Sequence, residues 1–299
     1  MEKKLQCYLC KKKTVKKAFT KLGWTILHCS SCGLFKLDFQ GSYKHFIKEY
    51  YNKKFFTGSK ERAGYFDYEG DRVAERRNMR SYIQGIKKYK KKGKLLDVGC
   101  ATGLFMQESV NSGFDAYGID VSAYAIKIAI KRFGNKVRLS SIEDVNFKKS
   151  SFDLVTLFDV VEHVENPRKV LLKIHNLLKE KGLLVINTGD TNSFFAKLQG
   201  KYWHFFIPPQ HFFYFSQQNL KTLLSQSGFE VINVEHDGKW VSLRYLFHLA
   251  KQIQNDIIGK IGFALVKGNL LGNIRLYLNF FDNMTVYAVK KENNRRRSK

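Results

Sequence analysis

The chain has 299 residues, 44% of them hydrophobic, which is enough for a full core and reads as one domain of roughly 200 residues with appendages. No apolar run reaches about 18 residues, and the opening MEKKLQCYLCKKK lacks the apolar stretch of a secretory leader; the sequence therefore predicts a cytoplasmic chain with no transmembrane segment. The 52 basic against 26 acidic residues give a net charge of +26, which would attract nucleic acid, an anionic surface or a phosphorylated substrate. Yet lysines run along the whole chain among Asn, Ile, Phe and Tyr, which describes a compositional bias better than one basic face. Two denser clusters stand out, Lys87 to Lys94 and a basic tail at 292–299.

Residues 1–40 carry Cys7, Cys10, Cys29 and Cys32, two CxxC pairs whose spacing predicts a closed tetrahedral zinc site with four thiolate ligands. Gly33 suits the left-handed backbone that closes such a knuckle, and Ala18 to His28 should form the hairpin between the pairs. A pair of disulfides is the competing assignment, disfavoured without an export signal. Four thiolates complete the shell, so His28 is expected to be structural, and so is the zinc. Residues 41–93 read as a helical linker and cover.

From residue 94 to 291, short β-rich runs alternate with amphipathic stretches of helical length, the pattern of a doubly wound seven-stranded α/β sheet. The runs are Lys94 to Cys100, Asp115 to Val121, Lys136 to Ile142, Phe152 to Val160, Leu183 to Thr188, Phe229 to His236 and Met284 to Lys290. Five helical connections are expected, with a long helical excursion at 241–281 that would cap a pocket, form a homodimer face or rest on a membrane surface.

The first strand runs into LLDVGCATGLF, where Gly99 and Gly103 bracket a tight turn opening a helix near Leu104. Glycine lets backbone amides approach a ligand, and the helix N-terminus adds positive dipole character. The second strand ends in GID, placing Asp120 where an acid can accept ribose hydroxyls. A dinucleotide site would read GxGxxG. Here the loop is GxxxG with Asp97 two residues upstream, which favours S-adenosylmethionine, whose ammonium Asp97 can help neutralise.

These residues resemble the class I S-adenosylmethionine-dependent methyltransferases, within them a bacterial group in which a zinc ribbon precedes the Rossmann-like catalytic domain. The marks are CSSCGLF, YYNKKFFTG, GYFDYE, LLDVGCATGLF, GIDVS, FDLVTLFDVVEHVENP, Trp203 and PQHFFYFS. The resemblance implies that Asp97, Gly99 and Gly103 surround the methionine part of the cofactor, Asp120 and Val121 the ribose and adenine, and Ser141 with Ile142 the adenine edge. Cys100, in the glycine turn where small size is needed, and Phe158 complete the cofactor-binding set. Relatives often carry an acid where Ser141 stands, so contact there would fall to backbone, Glu143 or Asp144. The group is associated with sugars and other small metabolites, which makes a small-molecule acceptor, such as a sugar or nucleotide sugar, the expectation.

Methyl transfer from a sulfonium needs an aligned acceptor and, for oxygen or carbon, removal of a proton. His163, in DVVEHV, and His211, on a loop stiffened by Pro208 and Pro209, are the candidate bases. His163 serves equally as a capping or core-bridging residue held by Glu162 or Asp159. Trp203 and His204 are expected in a substrate lid, and Tyr65 and Tyr68 near the acceptor. The neighbouring phenylalanines at 205, 206, 212, 213 and 215 are expected to pack. Two rivals remain: an RNA methyltransferase using the ribbon and basic surface, opposed by the absence of a Pro-Pro-aromatic sequence after the fourth strand, and a non-catalytic S-adenosylmethionine-binding protein.

Overall fold

The computed structural model describes residues 5–52, 55, 72–247 and 274–291, with isolated positions 262, 265 and 272. Tyr65, Tyr68, most of the 241–281 excursion and the basic tail lie outside the described residues.

Strands β1 (Val15–Lys21) and β2 (Trp24–Cys29) form an antiparallel hairpin in which Lys21 pairs with Trp24. The turn residues Leu22 and Gly23 have φ of 51° and 79°, the positive values a two-residue hairpin turn requires. Strand β3 (Phe35–Leu37) pairs with β2. It is followed by α1 (Tyr43–Tyr50), capped by Ser42, whose side chain accepts from the His45 N–H. Helix α2 (Arg72–Lys87) packs on the main domain, where Arg76 and Arg80 reach the buried Glu108 carboxylate at 3.0 and 2.7 Å.

The domain then alternates β4 (Gly93–Val98), α3 (Leu104–Asn111), β5 (Phe114–Asp120), α4 (Ala123–Phe133) and β6 (Val137–Leu139). It continues through β7 (Phe152–Phe158), α5 (Pro167–Leu177) and β8 (Leu178–Gly189). After these come α6 (Phe194–Gln199), β9 (Phe213–Tyr214), α7 (Gln217–Gln226), β10 (Phe229–Glu235), β11 (Lys239–Ser242), β12 (Arg275–Leu278) and β13 (Asn283–Lys290). The sheet order is β10-β13-β8-β7-β4-β5-β6, with β13 antiparallel to both neighbours. The seven expected strands are thus all present, in an α/β Rossmann-like methyltransferase sheet. Helices cover both faces, so the central strands carry buried side chains in succession, as in LLDV of β4.

Three expectations change. The link from β6 to β7 carries no helix, because its apolar residues Ile142, Val145 and Phe147 are too few and too closely spaced for a helical face. The excursion at 241–281 does not run as helix at its ends: β11 and β12 pair antiparallel, Lys239 opposite Leu278. The ribbon is not a separate block. Strand β3 pairs with β9 through Phe35–Tyr214 and Lys36–Phe213, giving a four-stranded sheet β1-β2-β3-β9. Ile26 and Leu37 bury in the same core as Leu96, Val155 and Leu184.

Candidate active site

The carboxyl ends of β4, β5, β7, β8 and β10 lie along one edge of the sheet, and the site is built there. Gly99 and Gly103 take φ of 79° and 86°. A Cβ on Gly99 would come 2.5 Å from Val160 Cγ2, and one on Gly103 2.5 Å from Phe133. Both positions therefore need glycine for conformation and for space. Cys100 is buried against Gly118, where a Cβ would meet its sulfur at 2.7 Å, so it is a packing residue of the turn.

Asp120 closes the turn. One carboxylate oxygen accepts the Ala101 N–H at 2.9 Å and the other the Ser122 N–H at 2.8 Å. Burial pushes its pKa up. Asp97, 4% exposed, accepts a hydrogen bond from Thr156 Oγ1 at 2.8 Å. Burial, opposed by that bond and helped by the charge of Asp120, raises its pKa to about 7. Neither acid has an ion-pair partner among the described residues. Two desolvated carboxyls at one glycine turn therefore fit a cationic ligand with hydroxyls, as the ammonium and ribose of S-adenosylmethionine require.

Of the residues expected to border adenine, Val121 is exposed. Ile142 points into the core at 3% exposure, so any contact it makes there is through its backbone. Ser141 is tied to the Asp144 carboxylate at 2.8 Å and its hydroxyl accepts the Asp144 N–H. Phe158, at the end of β7, stacks on Tyr82 at 4.6 Å and meets Phe105 edge-on at 4.7 Å.

His163 and His211 come together from separate loops, their ring centroids 4.6 Å apart. Nδ1 of His163 lies 2.9 Å from the Gln210 carbonyl, and Nδ1 of His211 lies 2.8 Å from the Phe205 carbonyl. His211 is not on an open substrate-side loop, since it is 5% exposed; His163 is half-buried. Burial lowers the pKa of both. Glu162 lies beside them, 2% exposed, its pKa pushed up to about 8 by burial and by the charge of Asp159. Trp203 is not a lid residue: it is 1% exposed and donates its indole N–H to Asp282 at 2.7 Å. His204 lies 3.7 Å from the same carboxylate.

In the ribbon, Cys7 and Cys32 sulfurs are 3.6 Å apart and those of Cys10 and Cys29 3.7 Å, all four being free thiols within 4.8 Å of one another. A zinc–sulfur tetrahedron with bonds of about 2.3 Å has edges of about 3.8 Å, so the four residues fit that ion.

A family model described as a methyltransferase domain matches residues 72–234, more than half of the chain. The chain belongs to this methyltransferase family. Its sheet and its relatives place it with the class I S-adenosylmethionine-dependent enzymes. An uncharacterized protein of Methanocaldococcus jannaschii is 35% identical over 120 residues, covering 40% of this chain and 56% of its own. A ubiquinone biosynthesis O-methyltransferase of Glaesserella parasuis is 33% identical over 105 residues, covering 32% and 44%. The chain thus spans about half the length of these curated relatives. A SAM-dependent methyltransferase from Archaeoglobus fulgidus superposes with a TM-score of 0.51 at 22% identity, over 73% of this chain and 94% of the other, which shows the fold.

The methyltransferase edge also holds groups that its sequence did not announce. Asp159 directly follows β7 with φ of 52° and lies 3.5 Å from Lys239 on β11. His236 Nε2 lies 3.1 Å from Asp190, whose other oxygen accepts the Asn192 N–H. Lys239 and His236 follow β10 in a segment whose β-prone pair Trp240–Val241 was the available signal for a strand near the site. Among the described residues no helix is long and apolar enough to cross a membrane.

Proposed function

We propose that this methyltransferase moves the methyl group of S-adenosylmethionine to an oxygen or carbon of a small-molecule acceptor. The glycine turn with Asp97 and Asp120 carries the assignment, because it pairs close backbone approach with one buried and one half-buried acid that suit the donor's ammonium and ribose. Bound there, the donor supplies an activated sulfonium methyl group. The chain's own residues hold and align: Gly99 and Gly103 admit the ligand, Asp120 fixes the turn, and Val121 with Ser141 borders the adenine. The cluster of His163, His211 and Glu162 is where the acceptor's proton is handled, since burial holds its rings neutral and backbone carbonyls orient them. Asp159, Lys239 and His204 border the acceptor side.

The ubiquinone-related name of a relative supports an oxygen acceptor, and a sugar or nucleotide sugar remains within the same chemistry. The cysteine cluster is proposed to hold one structural zinc. An RNA acceptor, the second reading, draws on the net charge and the ribbon. The test is calorimetry with S-adenosylmethionine and S-adenosylhomocysteine, followed by a screen of hydroxylated metabolites, nucleotide sugars and RNA for methyl uptake. Binding of NADH in place of the methyl donor would overturn the assignment.

A further inference from the structure

Glu162 is almost fully buried, and beyond a weak approach of the Thr188 hydroxyl its carboxylate oxygens make no well-formed hydrogen bond. The buried hydroxyl of Tyr214 makes none either. Both side chains line one cavity of about 10 Å³, together with Thr188, Trp203 and His211. Native proteins pair nearly all such atoms, so three poorly satisfied ones around a single cavity mark a ligand site. The volume is roughly that of one water or one small ion.

The surrounding donors decide between those two. One carboxylate oxygen of Glu162 and one ring nitrogen each of His163 and His211 lie within 4.8 Å of one another. Each ring presents Nδ1 to a backbone carbonyl, which makes Nδ1 the protonated nitrogen and leaves Nε2 a lone pair. A carbonyl on the far nitrogen is the usual support of a metal-bound imidazole. Two imidazoles and a carboxyl group at such mutual distances match the ligand set of a protein-bound divalent cation. Two imidazoles and a carboxylate suit a divalent transition ion of the zinc, manganese or iron class, while magnesium and calcium favour all-oxygen shells.

We propose that Glu162, His163 and His211 form a second metal site, separate from the cysteine cluster, which takes one divalent transition cation and keeps a coordination position open beside the cavity. It rests on the proposed function in one respect only, that this cluster faces the acceptor. Metal binding itself needs neither donor nor acceptor.

The experiment uses the full chain, stripped with a chelator and titrated with cobalt(II) under reducing conditions. Two equivalents are expected: one with the intense thiolate charge-transfer band of the cysteine site, one with only weak visible bands. Glu162→Gln should keep the first and weaken the second by at least about tenfold. Cys29→Ser should abolish the thiolate band, which assigns that band to the cysteine site. If the native chain takes a single equivalent carrying the thiolate band, unchanged in Glu162→Gln, the cavity holds water and the proposal is overturned. Donor binding by calorimetry on the same preparations shows separately whether the methyltransferase assignment stands.

Discussion

Replacing Asp97 by Asn should remove a pH dependence of donor affinity whose size follows from the site. The carboxyl titrates at about 7 because it is buried, with Thr156 opposing and Asp120 adding to the shift. Only its ionised form can pair with the donor's ammonium, so the apparent dissociation constant is the intrinsic one divided by the ionised fraction. That fraction is about 0.03 at pH 5.5 and about 0.5 at pH 7, so affinity should rise about fifteenfold across the interval. The upper limit stays below pH 7.5 because the ligand's own α-amino group titrates near 8. In the donor-free protein the sign is the opposite of the usual carboxylate case. The folded pKa lies above the unfolded one, so the native state holds the extra proton and stability falls as pH rises from about 4 to about 7, by a few kcal/mol at most. Calorimetry with S-adenosylhomocysteine at constant ionic strength measures the first effect, and donor-free thermal melts the second. A flat affinity profile in the native protein, or the same slope in Asp97→Asn, would refute the reasoning.

Asp120→Ala should weaken donor binding by about 1.5 to 3 kcal/mol, since it removes a ribose acceptor and also leaves the Ala101 and Ser122 amides unpaired; unchanged calorimetric affinity would count against a donor site at this turn. His163→Ala should slow turnover by roughly a hundredfold to ten-thousandfold with donor affinity near native, and parallel losses of rate and donor binding would instead mark a structural role. Trp203→Phe should cost about 1 to 3 kcal/mol in chemical denaturation, because it removes the indole hydrogen bond to the buried Asp282 carboxylate while keeping most of the aromatic volume. Purified chain should carry zinc that Cys29→Ser releases, and because β3 pairs with β9, that variant should also lower the melting temperature of the catalytic sheet.

The seven strands and the glycine turn were legible because their signals are local: an apolar run four to eight residues long, then a glycine-bearing turn, then a helix. The cysteine cluster was legible for the same reason, two short spacings on one hairpin. What escaped was set by distant contacts. The lid expected at Trp203 fails because Asp282, on the far side of an excursion, receives its indole N–H. The open loop expected for His211 is instead a buried position, because the Phe205 carbonyl, six residues upstream, turns back to hold its ring. Tyr82 and Lys239 carry no motif of their own; they reach the site because α2 and β11 pack over the end of β7. Asp120 was placed correctly as a strand-terminal acid, yet its bonds to the turn amides depend on a backbone conformation that the residue order does not display.

The ribbon's position gives the two halves of the chain a common fate. Leu37 N–H donates to the Phe212 carbonyl at 2.9 Å, and Asn219 donates its side-chain amide to the Cys32 carbonyl. Tyr8 receives the Arg168 N–H at 2.8 Å while its hydroxyl donates to Asn166, the cap of α5. Phe212 and Phe213 in turn donate their N–H groups to the Glu162 carbonyl, at 2.8 and 3.1 Å. The same short segment therefore joins β3 of the ribbon on one side and the Glu162–His163 turn on the other, with His211 directly before it. The proposed zinc, by locking the ribbon hairpin, would thus fix the register of β9, and with it where His211 stands against His163. A ribbon so attached would act on the histidine cluster through backbone hydrogen bonds.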